Sequence, residues 1–154
     1  KDRWELTTSD IKNVLTSELW MLTPKAFHYY LPALLAKLLE DYEALTVFAN
    51  ETVDALIRPE VGDADKILDR FDGMTEQALA RVAASRLHEW YESGWPDAVF
   101  LHRFGTLSQE EAEAVLAFIL AFREAYGEDF PFDELDVAIQ RYWKRFATDS
   151  PTRQ

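Results

Sequence analysis

Three histidines, His28, His88 and His102, are the side chains best suited to acid–base or metal chemistry, and their spacing supports neither. A zinc-protease helix needs a second His four residues after His88, where Glu92 stands instead. No Glu-x-x-His pair exists to build a di-iron site inside a bundle. His88 and Glu92 are one helical turn apart, a spacing that serves a surface ion pair. Asp63-Ala-Asp65, with Asp69 and Asp72 behind it, invites a calcium reading. It fails, because Ile67 and Leu68 hold the fifth and sixth positions, the sixth needs glycine, and no Glu closes the loop. These acids read as a solvated turn. There is no Gly-x-Ser-x-Gly and no phosphate-cradling loop, and five glycines leave little material for either. The absence of cysteine removes thiol catalysis, iron–sulfur clusters and cysteine zinc sites, and fits a reducing cytoplasm. No catalytic residue, metal ligand or cofactor is assigned, and the chain reads as a non-enzyme.

Two groups of residues remain as candidates for binding. The first surrounds Pro32, which sits inside a helical pattern. Proline there frees the carbonyl of His28 and should kink the helix or divide it. His28, Tyr29 and Tyr30 would supply the polar groups of a small-ligand site, which would show as a concave pocket. The second is electrostatic. With 28 acidic and 16 basic side chains the formal charge is −12, which repels nucleic acid and anionic membrane and attracts a basic protein. The densest acids, Glu128, Asp129, Asp133, Glu134 and Asp136, surround Phe130 and Phe132. Carboxylates beside aromatic anchors suit docking against a basic cleft. The same residues also read as ordinary acidic capping beside two core phenylalanines. Trp95 and Asp97, beside Pro96, form a second candidate contact. A nucleic-acid mimic would need acids in a regular row, and here they cluster.

The elements that position these groups are helices. Thr7–Asp10 caps a helix with Ile11, Val14, Leu15, Leu19 and Leu22 on one face. Thr23 and Pro24 open a second helix to about Tyr42, burying Phe27, Tyr30, Leu31, Leu34, Leu35 and Leu38. A third, from about Glu43 to Ile57, turns Leu45, Phe48, Ala49, Val53 and Leu56 inward. Glu60–Gly73 is a polar interval holding one short turn. Thr75 caps a fourth helix to about Tyr91, with Leu79, Val82, Ala83, Leu87 and Trp90 inside, and Ser93–Asp97 breaks it. Ala98–Leu101 is the only strand candidate. Ser108 and Glu111 form a capping box for a fifth helix, apolar nearly all round and therefore central, ending at Gly127. A sixth starts at Asp133, with Leu135, Ala138, Ile139, Tyr142 and Phe146 buried. The prediction is an all-α, single-domain compact bundle of about six helices over residues 1–147, with a polar mobile tail at 148–154. The longest apolar run, Ala114 to Phe122, is nine residues, far short of the roughly 20 a membrane span requires.

Leu22-Thr-Pro-Lys-Ala-Phe-His-Tyr-Tyr-Leu-Pro32 resembles the signature of a family of small bacterial proteins of unknown function. Members read Leu-Thr-Pro-x-Ala-Phe-x-Tyr-Tyr-Leu-Pro, and a later helix start is similar to Phe104–Glu111 here. The resemblance covers the first 40 residues well and implies no activity, cofactor or catalytic residue. In type, though not in motif, an acidic, cysteine-free helical chain of this size is similar to the immunity proteins of toxin–immunity pairs. The expectation is therefore an acidic protein-binding module, an immunity or antitoxin-type inhibitor that masks a basic surface of a toxin or enzyme. The alternative is a small-ligand sensor or metal-independent enzyme with its site at Pro32.

Overall fold

A computed structural model describes residues 2–16, 18–70 and 76–147. The expected Thr75 cap and the polar tail at 148–154 lie outside them. The described residues form eight α-helices joined by short 3₁₀ turns, with no strand among them. The fold is all-α. The chain divides into two compact units, one of residues 1–57 with 106–154, the other of residues 58–105.

In the first unit, Thr7 opens α1 (Thr8–Asp10) with a capping box. Its hydroxyl accepts the Asp10 amide at 3.1 Å, and the Asp10 carboxylate accepts the Thr7 amide at 2.8 Å. The chain then widens into a π-helical stretch, Ile11–Leu15. This changes the helical phase. Ile11 and Leu19 are buried, but Val14 points to solvent and Leu15 and Leu22 are only half-buried, so the single face predicted over residues 11–22 is corrected.

The Thr23 hydroxyl caps α2 (Pro24–Glu40) by accepting the Ala26 amide at 3.3 Å. Phe27, Leu31, Leu34, Leu35 and Leu38 are buried as their spacing requires, while Tyr30 is half-buried. Pro32 does not divide the helix: the helix continues through it to Glu40, with the proline ring exposed. A 3₁₀ turn (Tyr42–Ala44) leads to α3 (Thr46–Leu56). Leu45, Phe48, Ala49, Val53 and Leu56 all lie in the core. The buried Thr52 hydroxyl donates to the Phe48 carbonyl at 2.8 Å, which satisfies it without a distant partner.

The chain re-enters this unit through α7 (Gln109–Tyr126), opened by the Ser108–Glu111 capping box. α8 (Glu134–Arg141) and a 3₁₀ turn (Trp143–Phe146) follow. Trp143 is fully buried, and its Nε1–H donates to the Leu56 carbonyl at 2.8 Å. That carbonyl ends α3, where no intrahelical donor is available. Trp143 therefore joins the two segments that make up this unit.

The second unit holds α4 (Asp63–Arg70), α5 (Gln77–Glu92) and α6 (Trp95–Phe104). Of the acids read as a solvated turn, Asp63 and Asp65 instead begin α4, Asp69 lies in its last turn, and Asp72 falls outside the described residues. Asp63 accepts the Glu60 amide at 2.9 Å and meets Lys66 at 3.6 Å, and negative charge in a first turn suits the helix dipole. Ala98–Leu101 is helical too. Gly94, at φ +72°, makes the two-residue turn that separates α5 from α6. α5 departs most from expectation. Leu79 and Val82 are 64% and 61% exposed, Ala83 and Trp90 also face solvent, and Leu87 is half-buried. A 3.6-residue period identifies a one-sided helix, but it does not supply the neighbour that would cover that side.

Two mutations test this division of labour. Trp143→Ala should lower stability by about 3–5 kcal/mol in urea unfolding, combining a large cavity with a lost hydrogen bond. Leu79→Lys should stay within about 0.5 kcal/mol of the parent, since no core is disturbed.

Candidate functional site

An open groove of about 420 Å³ runs between α2 and α7 within the first unit. His28, Leu31, Pro32, Leu35, Ala36 and Leu39 line it from α2, and Glu111, Ala114, Ala117, Phe118 and Ala121 from α7. Phe118 is buried as the floor. Ala114, Ala117 and Ala121 are exposed and recur at i, i+3 and i+7, so α7 presents methyl groups where longer side chains would close the slot. α7 is therefore not covered all round, although its residues 109–126 are the helix the sequence predicts.

Tyr42 fixes the direction of the two walls. It lies just beyond α2, stacks on Tyr126 at 4.0 Å and meets Phe122 edge-on at 5.5 Å. The C-terminal ends of α2 and α7 are thus together, and the helices run the same way. His28, fourteen positions before Tyr42, falls level with the start of α7 at about 1.5 Å rise per residue. The lining's two ionisable side chains, His28 and Glu111, consequently share one end. Glu111 is already engaged, accepting the Ser108 amide at 2.8 Å. Of the three residues proposed around Pro32, only His28 lines the groove. Tyr29 is exposed, beneath Arg3 at 5.4 Å, and Tyr30 meets Tyr29 edge-on at 5.0 Å.

The acidic corner follows α7. A 3₁₀ turn (Gly127–Asp129) drops Phe130 into the core, 6% exposed and 5.8 Å from Phe122. Phe130 is therefore corrected from a docking anchor to a core residue. Phe132, two residues on, is 54% exposed. Its amide donates to the Glu134 carboxylate at 3.0 Å, which holds the turn. Asp133 takes a left-handed conformation at φ 56°, which Asp tolerates better than most residues, and α8 begins one residue later than predicted. Asp129 accepts the Tyr42 hydroxyl at 2.8 Å, and Asp136 pairs with Arg123 at 2.6 Å. Glu128 and Asp133 are exposed.

In the second unit, Trp95 is exposed in the first turn of α6 rather than in a loop. Asp97 is bound by Arg58 through Nε at 2.7 Å and Nη2 at 3.1 Å. That hydrogen-bonded guanidinium holds the Asp97 carboxyl below the ordinary range despite partial burial. Asp65, in the first turn of α4, meets His88 at 3.3 Å. Among the described residues, no three His, Cys, Asp or Glu side chains converge as metal ligands, and no helix is long and apolar enough to cross a membrane.

Residues 1–93 match a family of unknown function, DUF6714. The chain belongs to that family. The DUF6714 match takes in the α2 wall of the groove, while the α7 wall and the acidic corner lie beyond it. No curated protein and no solved structure matches this DUF6714 chain.

Tyr42 gives the site a pH signature. Burial first, then the hydrogen bond to Asp129 and the negative charge there, push its phenol up to about 12. A phenol with a raised folded pKa contributes stability that is complete below about pH 10, its unfolded value. That contribution disappears as pH rises toward about 12. The stability difference between the parent and Tyr42→Phe should therefore narrow across that window. Ultraviolet titration should show a late-ionising tyrosine that is absent from the variant.

Proposed function

We propose that this chain is an acidic protein-binding module, an immunity or antitoxin-type inhibitor that masks a basic surface of a toxin or enzyme. The observation that carries the reading is Phe132, a large aromatic ring 54% exposed within the acidic corner. The formal charge of −12 supports it, because long-range attraction speeds encounter with a cationic partner. Inhibition would be by occlusion. Glu128 and Asp133 offer carboxylates to the partner's Lys and Arg, while Phe132 fills a pocket between them. Asp129, Asp136 and Glu134 already have partners within the chain and serve to shape the corner. Phe130 packs in the core against Phe122, and exposed Trp95, on the second unit, is a separate candidate contact.

The groove favours a second reading, a small-ligand sensor or metal-independent enzyme with its site beside Pro32. Its apolar walls and His28 offer packing and one polar contact, which suits binding of an apolar molecule. His28→Ala should then weaken that ligand and leave any protein partner unaffected.

The protein-binding reading is tested by immobilising the chain, applying cell lysate at low salt and eluting with a salt ramp. A basic protein should elute, its association should slow as salt rises, and Phe132→Ala should weaken it by about tenfold or more. An association rate indifferent to salt, with affinity indifferent to Phe132→Ala, would sink the proposal.

A further inference from the structure

We propose that the groove between α2 and α7 receives an amphipathic helix of a basic partner, its apolar face in the slot and its Lys and Arg side chains over the acidic rims. This deepens the protein-binding reading and rests on it. From His28 to Leu39 the α2 wall extends about 16 Å, the length of roughly three helical turns. Ala114, Ala117 and Ala121 let a second backbone come close on one side, and Leu35 and Leu39 meet its side chains on the other. An incoming helix with apolar residues at i, i+3, i+4 and i+7 presents a matching stripe.

Charge chooses the occupant. Residues 24–43 and 107–126, which include both walls and their ends, carry seven acids against three bases. Two of those bases are engaged within the chain: Lys37 with Glu40 at 2.6 Å, and Arg123 with Asp136 at 2.6 Å. Acids stand at both ends of the slot, Glu110 at one and Glu43 and Glu124 at the other, beside Glu111 and Glu40, which already hold the Ser108 amide and Lys37. A cationic helix lying along the groove meets opposite charge at each end, whereas an acidic helix or an anionic amphiphile meets repulsion.

The probe is a fluorescent peptide of about 14 residues, built from Leu and Lys with leucines at i, i+3, i+4 and i+7. Its binding to the full chain is read by anisotropy. Ala117→Trp and Ala121→Trp, both at exposed positions, plug the slot, and circular dichroism confirms that each variant is folded. Each should weaken the peptide by about tenfold or more, and Phe132→Ala should not. A Leu/Glu peptide with the same leucines should bind at least about tenfold more weakly. Wild-type-like binding by both folded Trp variants, equal binding of the Leu/Glu peptide, or no binding of the Leu/Lys peptide would overturn the inference. A lysate partner that is lost with Phe132→Ala but keeps full affinity for Ala117→Trp would overturn the groove alone and leave the protein-binding reading standing.

Discussion

The hydrogen bond from Trp143 to the Leu56 carbonyl is the constraint on which the larger unit depends. One segment of that unit ends at Ile57 and the other starts at Thr106. Each brings half of a core that neither can complete. Trp143 sits with zero exposure at the end of the second segment and satisfies the last carbonyl of the first. A buried tryptophan N–H needs a partner, and the last carbonyl of α3 provides one. Steric fit and hydrogen bonding thus specify the same register, and a shift of either segment would lose both.

Tyr42 plays the corresponding part for the two candidate sites. Its ring sets the ends of α2 and α7 side by side through Tyr126 and Phe122, and so sets the direction of both groove walls. Its hydroxyl reaches Asp129 and fixes the turn that buries Phe130 and leaves Phe132 outside. Groove and acidic corner are consequently built on one aromatic cluster within one unit. Each candidate surface adjoins a packed core, and neither depends on a long loop.

Much of this was legible from residue spacing. α2, α3 and α8 bury nearly all the side chains their periodicity selects, whereas α7, apolar nearly all round in sequence, leaves Ala114, Ala117, Leu120 and Ala121 exposed. Where the phase changes, spacing misleads: the π-helical turn after Asp10 turns Val14 outward. Periodicity also misleads on α5, where Leu79, Val82 and Trp90 stay exposed. Phe130 and Phe132 could not be told apart in sequence. They flank the same proline, and a turn rather than a helical period decides which goes inside. The groove belongs to two helices separated by about seventy residues. Its one local signal was the alanine series at 114, 117 and 121, which by composition alone reads as ordinary helix core.

The 87-residue separation between Leu56 and Trp143 also has a consequence for synthesis. A ribosome adding about 5–20 residues per second needs roughly 4–17 s to travel that distance. Until α7 and α8 are made in the later part of that interval, α2 and α3 lack the helices that will cover Phe27, Leu34, Phe48 and Leu56. The nascent chain must carry this bare apolar surface while the entire 58–105 segment is made. Slowing translation should prolong its exposure to chaperones and proteases, and truncation before Trp143 should leave it permanently open to them.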